Sequence, residues 1–488
     1  MKQELFRMER VTYREHGVTL LENFHIHIYQ GEIMGMVPVN AHGLTAFLNL
    51  LQSNLPLYDG YIYYAGEMVN SWKEERRTFN RISVIGAESR LVENLSVTDN
   101  IFVLRQGFRQ EVIREHMLAE QLRPFLEDIG MEISLDARVR DLTAFERAVV
   151  EMLRAVVLGH RLIVLVDIGS LISYEELVKL HEIMRHYVKK GFTFLYISPH
   201  LEEIAMVCGR CAMLSHGSIQ NVIYENELEA EVPRVYSAEY KQMVRSHQQA
   251  QCDTLRKGKE ILRAEEICGE HLDRLSFSVQ EGECLVIQIL DDIAFREASG
   301  MLTGVYRARS GSFLMGGKKI HLQKDRRIAV IQEMASRTMV FPELDYMDNL
   351  CMSLSRRMSF LWMKRSIRSS IRREYGPELG EEVFLLQVEE LSEKQKLEMI
   401  YTRILLQKPQ VVFCIQPFKG ADLPLRMTIW RLMEKLLEHK IAVVIVSVNL
   451  SDSLSLADRL IIVDKNSRQE LRRSQFARMQ GRIPWTHI

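Results

Sequence analysis

The 488-residue chain is short of net charge, of cysteine and of long apolar stretches, and each shortage removes a class of function. A formal net charge of −1 leaves no global field to favour nucleic acid or an anionic membrane. The longest apolar runs, Leu162–Val166 and Ile441–Val446, fall far short of the roughly 20 residues a membrane-spanning helix needs and read as fully buried strands. Seven scattered cysteines, an odd number, suit a reducing compartment. Cys208-Gly209-Arg210-Cys211 is a C-x-x-C, but it lacks the second ligand pair that a structural zinc requires. Met1-Lys2-Gln3-Glu4-Leu5 has no apolar core of a signal peptide, so a cytoplasmic protein is expected. What remains, 47% hydrophobic and 26% charged residues, is the composition of a soluble globular protein, and its length predicts two or more domains.

A further shortage lies within one motif. The stretch Gly35-Met36-Val37-Pro38-Val39-Asn40-Ala41-His42-Gly43-Leu44-Thr45-Ala46 has the outline of a phosphate-binding loop without its lysine. Such a loop reads G-x-x-x-x-G-K-[ST] after a strand: backbone N–H groups cradle phosphates, lysine reaches the terminal ones, and the hydroxyl holds Mg²⁺. The preceding strand, Asn40, Gly43 and Thr45 are present, whereas Leu44 stands in the lysine slot and Pro38 in that of the first glycine. A leucine offers neither charge nor hydrogen bond.

The chain is also written twice. Leu21-Glu22-Asn23-Phe24 with Gly31-Glu32 returns as Leu272-Asp273-Arg274-Leu275 with Gly282-Glu283, 251 residues later. Asp99-Asn100, Leu142-Thr143, Ile197-Ser198 and Arg210 return 249 residues later as Asp348-Asn349, Leu391-Ser392, Val446-Ser447 and Arg459. A displacement so nearly constant predicts a duplicated domain. The polar stretch 229–259 is the expected linker, between a first domain over 1–228 and a second over 260–465, with a basic tail, helical or disordered, over 466–488.

In this order of landmarks both halves resemble the ATP-binding cassette (ABC) domain, and the tandem resembles the fused ATPase subunits of sugar importers of the ribose and galactose type. The likeness runs from about residue 4 to about 465. It implies an α/β fold of two P-loop NTPase cassettes, each a mixed β-core with a helical subdomain. It also implies ATP with Mg²⁺ as the ligand and membrane permease subunits or an active ABC ATPase as partners. Carried onto this chain, the resemblance makes Tyr13 the aromatic stacked on adenine. Asn40, Gly43 and Thr45 become the remains of the phosphate cradle, and Asp167, after the buried strand Leu162–Val166, the Mg²⁺-side carboxylate.

The remaining chemistry is replaced. The Mg²⁺-sensing glutamine falls on Ala87, the catalytic glutamate on Ile168 and the switch histidine on Pro199, with His200 one position late. The signature Leu-Ser-x-Gly-Gln reads Leu142-Thr143-Ala144-Phe145-Glu146. In the second half Leu290-Asp291-Asp292-Ile293-Ala294-Phe295 replaces the phosphate loop, and its two aspartates repel a triphosphate. Its signature is Leu391-Ser392-Glu393-Lys394-Gln395, Ile415-Gln416-Pro417 follows its buried strand, and Val448 or Asn449 holds the switch position.

Removing one preorganised charge-stabilising donor costs on the order of 10²–10³ in turnover. Several are gone, so the expectation is a pseudo-ATPase with no assigned catalytic residue or metal ligand. Asn40, Gly43, Thr45, Asp167 and Tyr13 are then either a vestigial nucleotide site or inherited scaffold, with Thr45 and Asp167 pairing structurally. A working importer ATPase and a soluble non-transport regulator are the alternatives. The basic amphipathic segment Arg356–Arg373 is either a peripheral membrane contact at the inner face or a solvated helix with a packed stripe.

Overall fold

The computed structural model describes residues 3–73, 80–102, 115–225, 227, 258–356, 365–450, 453–464 and 467–479. The chain divides into two compact units, Met1–Ser237 and Ala238–His487. The expected linker lies outside the described residues except for its last two, Gly258 and Lys259.

The first unit opens with two long strands, β1 (Glu4–Glu15) and β2 (Val18–Tyr29), which alternate buried and accessible positions as half-buried strands do. With β4 (Asp59–Tyr64) and β5 (Glu67–Ser71) they form an antiparallel sheet in the order β2-β1-β4-β5. A second sheet contains β3 (Ile33–Pro38), β6 (Ile82–Ile85), β7 (Leu162–Val166), β8 (Thr193–Ile197), β9 (Arg210–Ser215) and β10 (Ser218–Tyr224), in the order β10-β9-β3-β8-β7-β6. Its strands run parallel except β10, and β3, β7 and β8 are almost wholly apolar because both faces are covered. Helix α1 (Leu44–Gln52) follows β3. Between β6 and β7 lie α2 (Val97–Phe102), α3 (Glu115–Asp128) and α4 (Ala144–Val157), and around β8 lie α5 (Tyr174–Lys189) and α6 (Leu201–Ala205).

The second unit repeats this plan. Strands β11 (Glu260–Cys268), β12 (Leu275–Gln280), β14 (Ser310–Met315) and β15 (Lys318–Ile320) form the antiparallel sheet, ordered β12-β11-β14-β15. Strands β13 (Cys284–Ile289), β16 (Ile328–Ile331), β17 (Val411–Ile415), β18 (Ala442–Ser447), β19 (Arg459–Asp464) and β20 (Ser467–Arg472) form the mixed sheet, ordered β16-β17-β18-β13-β19-β20. Helix α7 (Asp292–Thr303) follows β13. Short α8 (Ala335–Thr338) and α9 (Tyr346–Cys351) with α10 (Arg365–Leu379) and α11 (Glu393–Gln407) make the helical portion, and α12 (Leu423–Glu438) and α13 (Ser453–Leu456) flank β18. Each unit is the mixed β-core with a helical subdomain expected from the sequence.

The repeated residues hold this architecture. Glu32 pairs with Arg210 at 2.8 Å and accepts from the Tyr29 N–H at 2.7 Å; in the second unit Glu283 pairs with Arg459 at 2.7 Å and accepts from the Gln280 N–H at 2.7 Å. Each pair ties the turn before the central strand to the strand beside it. Asn100 is fully buried, accepts from the Val92 N–H and donates to the Val92 and Ser96 carbonyls; Asn349 does the same for Phe341, Leu344 and Asp345. Both asparagines close the loop that leads into the helical subdomain, supplying partners that a buried turn would otherwise lack.

One stretch departs from expectation, and in another one of the two expected readings is seen. The tail, read as a helix or a disordered extension, starts instead as β20, an edge strand paired to β19. Leu471 of this strand is buried against the second core and its other side chains are exposed, and a short 3-10 helix, Arg473–Met479, follows it. In the basic segment, Phe360 and Met363 lie outside the described residues. Within α10, Ile367 and Ile371 pack into the helical-subdomain core. Arg368 pairs with Asp348 and Arg372 with Glu381, so these two charges are answered within the unit.

Candidate functional site

Parallel strands β3, β7 and β8 present their carboxyl ends on one edge of the first sheet, where ligands of open α/β sheets bind. The turn after β3, the turn after β7 with Asp167 and the turn after β8 with Ser198 and His200 therefore meet there. One strand, β8, separates Asp167 from the β3 loop, a span of about 10 Å at normal strand spacing.

The β3–α1 loop turns at a left-handed glycine into an uncapped helix whose first residue is Leu44. Gly43 has φ 83°, a left-handed value, and a Cβ there would meet the Leu20 carbonyl at 2.5 Å and the Gly217 backbone at 2.9 Å, so both conformation and space demand glycine. Helix α1 then starts with no side-chain cap and no acid in its first turn, which leaves its positive end available to an anion. Leu44 is half-buried against the core beneath. Asn40 is committed to the fold: its amide donates to Ser215 Oγ at 3.2 Å and its oxygen accepts from the His216 N–H at 3.1 Å. His42 lies 3.2 Å from the Thr19 carbonyl through Nε2. Thr45 is exposed at the start of α1. Tyr13 is buried within the antiparallel-sheet core with Leu21 and Phe24, and burial raises its hydroxyl pKa, helped by Glu15.

Asp167 adopts φ 51° and donates its N–H to the Ile197 carbonyl at 2.8 Å. Behind it lies a group that belongs to none of the sequence motifs. Glu203, on α6, is completely buried and accepts from Tyr196 Oη at 2.9 Å and Ser198 Oγ at 2.8 Å. A Cβ on Gly169 would collide with this carboxyl, so the glycine makes room for it. Burial pushes Glu203 up to about 8; the Ser198 and Tyr196 hydrogen bonds pull against that, and the charges of Asp167 and Glu202 add to it. The clue in the sequence was Glu202-Glu203 a few residues after a buried strand, on a short helix beside apolar Leu201 and Ile204. His181 packs edge-on against Tyr196 at 5.4 Å, and burial holds it down to about 3, so it stays neutral.

The signature positions serve as helix caps. Thr143 Oγ1 accepts from the Glu146 N–H at 3.2 Å and Glu146 accepts from the Thr143 N–H at 2.8 Å, a capping box that starts α4, while Phe145 is buried in the core. Ser392 and Gln395 form the same box at the start of α11. Beside the loop containing Ala87, buried Glu151 of α4 accepts from Ser89 Oγ at 2.6 Å and the Arg90 N–H at 3.2 Å. Burial raises its pKa against those bonds. Cys208 and Cys211 are buried free thiols, and burial pushes both up, Cys211 to about 12. Among the described residues no group of three or more His, Cys, Asp or Glu side chains could hold a metal ion.

In the second unit the loop itself is missing. Two residues, Leu290 and Asp291, connect β13 to α7, and the Asp291 carboxylate accepts from the Ala294 N–H at 2.9 Å, filling the helix N-terminus with a negative charge. Phe295 is buried in the core. Gln416 repeats the left-handed turn of Asp167, with φ 39° and its N–H on the Val446 carbonyl at 2.9 Å, but brings an uncharged amide. Ser447 and Gln288 follow across β18 and β13, Gln288 donating to the Val448 carbonyl at 2.9 Å.

Residues 21–167 match the ABC transporter family model. The ribose import ATP-binding protein RbsA of Caldanaerobacter subterraneus is 24% identical over 486 residues, covering 94% of each chain. The xylose import ATP-binding protein XylG of Geobacillus kaustophilus is 22% identical, covering 95% of each. RbsA 3 of Rubrobacter xylanophilus is 23% identical, covering 97% of each. Among solved structures, an ATP-binding cassette of an ABC transporter in its ADP conformation covers 49% of this chain and 98% of its own, with 14% identity and a TM-score of 0.42. The chain therefore carries an ABC transporter domain, and the relatives it matches over nearly its full length are ribose and xylose import ATP-binding proteins.

Proposed function

We propose that this chain is a sugar-importer ATP-binding-subunit-like protein that no longer hydrolyses ATP efficiently. It acts at the cytoplasmic face of the membrane through protein contacts, with permease subunits or a competent ATPase as partners. The observation that carries this reading is the state of the two helix N-termini that would face phosphate. One lacks its cation at Leu44, and the other is capped by the carboxylate of Asp291.

Tested against Mg-ATP, the two units differ. Residues of the first fit a nucleotide in part: the uncapped start of α1 suits a phosphate and Asp167 suits a hydrated Mg²⁺. When bound, Mg-ATP would supply a transferable γ-phosphoryl group, and this chain has no lysine at Leu44, no glutamate at Ile168 and no histidine at Pro199 to stabilise its departure. Residues of the second unit do not fit, since Asp291 both occupies and repels the phosphate position. The ion pairs of Arg368 and Arg372 favour a protein partner over a lipid surface for the helical subdomain.

The test is steady-state ATP hydrolysis by the purified chain, alone and with Asp167→Asn. No turnover above background is expected from either. Transporter-like turnover that Asp167→Asn abolishes would overturn the reading in favour of a working importer ATPase. The geometry of Gly43 favours one narrower second reading, in which the first unit retains weak nucleotide binding without turnover. Mg-ATP at millimolar concentration then raises thermal stability, by an amount that grows with ligand concentration.

A further inference from the structure

The turn between β11 and β12 in the second unit has an occupant supplied by its own chain. Three successive backbone N–H groups, those of Glu270, His271 and Leu272, converge on the carboxylate of Glu297, the last two at 2.8 and 2.9 Å. Convergent main-chain N–H groups of this kind form a concave anion site, a nest. The turn is shaped for its occupant. A Cβ at Gly269 would run into the Glu297 carboxylate, and the Gly269 N–H is already used by the Leu272 carbonyl at 2.8 Å, which draws the loop into its curve. Glu297 projects from α7, the helix whose N-terminus carries Asp291. Two carboxylates of one short helix therefore satisfy main-chain donors in the second unit, where the equivalent helix of the first unit is uncapped.

We infer that residues 269–272 form an oxyanion-binding nest whose resident ligand is the side-chain carboxylate of Glu297. On this reading the second unit holds its β11–β12 turn against α7 without any added ligand, and an external carboxylate or phosphate competes for the nest only when Glu297 is removed. Charge supports the assignment. Burial alone would raise the Glu297 pKa, but the three N–H groups outweigh it and hold the carboxyl below the ordinary glutamate value, as expected for an anion in its site. Arg309 pairs with Glu270 at 3.1 Å, which places a fixed cation beside the turn.

The experiment is thermal unfolding of the full chain as Glu297→Ala, titrated with sodium acetate and, separately, with sodium phosphate, each against sodium chloride at matched ionic strength. The variant is expected to melt several degrees below the unmodified protein. Acetate or phosphate should restore part of that loss saturably, with no equivalent effect on the unmodified chain. Restoration by acetate alone identifies a nest fitted to carboxylates, and restoration by both identifies one that takes oxyanions generally. A variant that melts with the unmodified protein, or a loss that responds to chloride as strongly as to acetate and phosphate, overturns the inference. Should Glu297→Ala fail to fold, amide hydrogen exchange in Gly269→Ala decides instead. Glu270, His271 and Leu272 must lose protection together while β11 and β12 keep theirs, and unchanged protection at the three amides rejects the nest.

Discussion

The two units share a chain plan and have diverged in opposite ways at the same edge. The first has a left-handed Gly43 and an uncapped α1 that begins at Leu44. The second has a two-residue connection and a helix end capped by Asp291. What both retain is elsewhere: the Glu32–Arg210 and Glu283–Arg459 pairs, the buried Asn100 and Asn349, and the capping boxes that start α4 and α11. The two units thus agree at positions that fold the domain and differ at the edge that the proposed function assigns to a phosphate.

The largest expected effect concerns a group in the first unit alone. Glu203 has a folded-state pKa raised from 4.5 to about 8, so the native state binds a proton that the unfolded chain releases near 4.5. Its contribution to stability is fully present below pH 4.5 and is lost as pH rises through about 8. Each pH unit between those two values is worth roughly 1.4 kcal/mol, which makes the whole span on the order of 3–5 kcal/mol. Glu203→Gln, which keeps the shape and cannot ionise, should flatten that slope. Urea unfolding at pH 5 and pH 8 with both proteins is the check, and equal slopes would show that Glu203 is ionised in the native state.

Next come the repeated ion pairs, which sharpen the comparison by predicting equality. Arg210→Ala leaves Glu32 without its cation, and Arg459→Ala does the same to Glu283. Each carboxylate is at most a tenth exposed, so each change should cost about 3 kcal/mol. Unfolding of the two variants, followed by hydrogen exchange in β3 and in β13, measures both. A cost confined to one unit would mean that the pairs, although repeated, no longer do the same work.

Much of this was legible in the sequence. The constant displacement of Gly31-Glu32, Asp99-Asn100, Leu142-Thr143 and Arg210 exposed the duplication, because these residues make contacts that every copy of the fold needs. The buried strands Leu162–Val166 and Ile441–Val446 were legible because a doubly covered parallel strand has no polar face to alternate with. Less could be read at the candidate site. Asn40 has the same identity whether it faces a phosphate or Ser215, and only the backbone of β9 and its turn decides between them. Glu203 and Glu297 were overlooked because a carboxylate's partners here, Tyr196 and Ser198 in one case and three consecutive N–H groups in the other, are fixed by tertiary approach. The strand β20 was hidden by its arginines, since an edge strand needs one buried side chain, Leu471, and tolerates charge at the rest.

The smallest effect tests the divergence itself, with one substitution on each side. In the second unit Asp291→Ala removes the cap on the Ala294 N–H and should cost about 1 kcal/mol. Asp292 remains in the first turn of α7, so no response to Mg-ATP should appear. In the first unit Leu44→Lys restores the missing cation on a backbone that already turns correctly at Gly43. Leu44 is half-buried, and a lysine stem can cover the same apolar surface while its ammonium reaches solvent. This variant should gain about 1 kcal/mol of stability from millimolar Mg-ATP. Hydrolysis should stay absent, because Ile168 and Pro199 are unchanged. Thermal unfolding of both variants with and without Mg-ATP separates the two edges. A response in Asp291→Ala would show that the capping carboxylate alone keeps Mg-ATP from the second unit, and none in Leu44→Lys would show that the missing charge is not what limits the first.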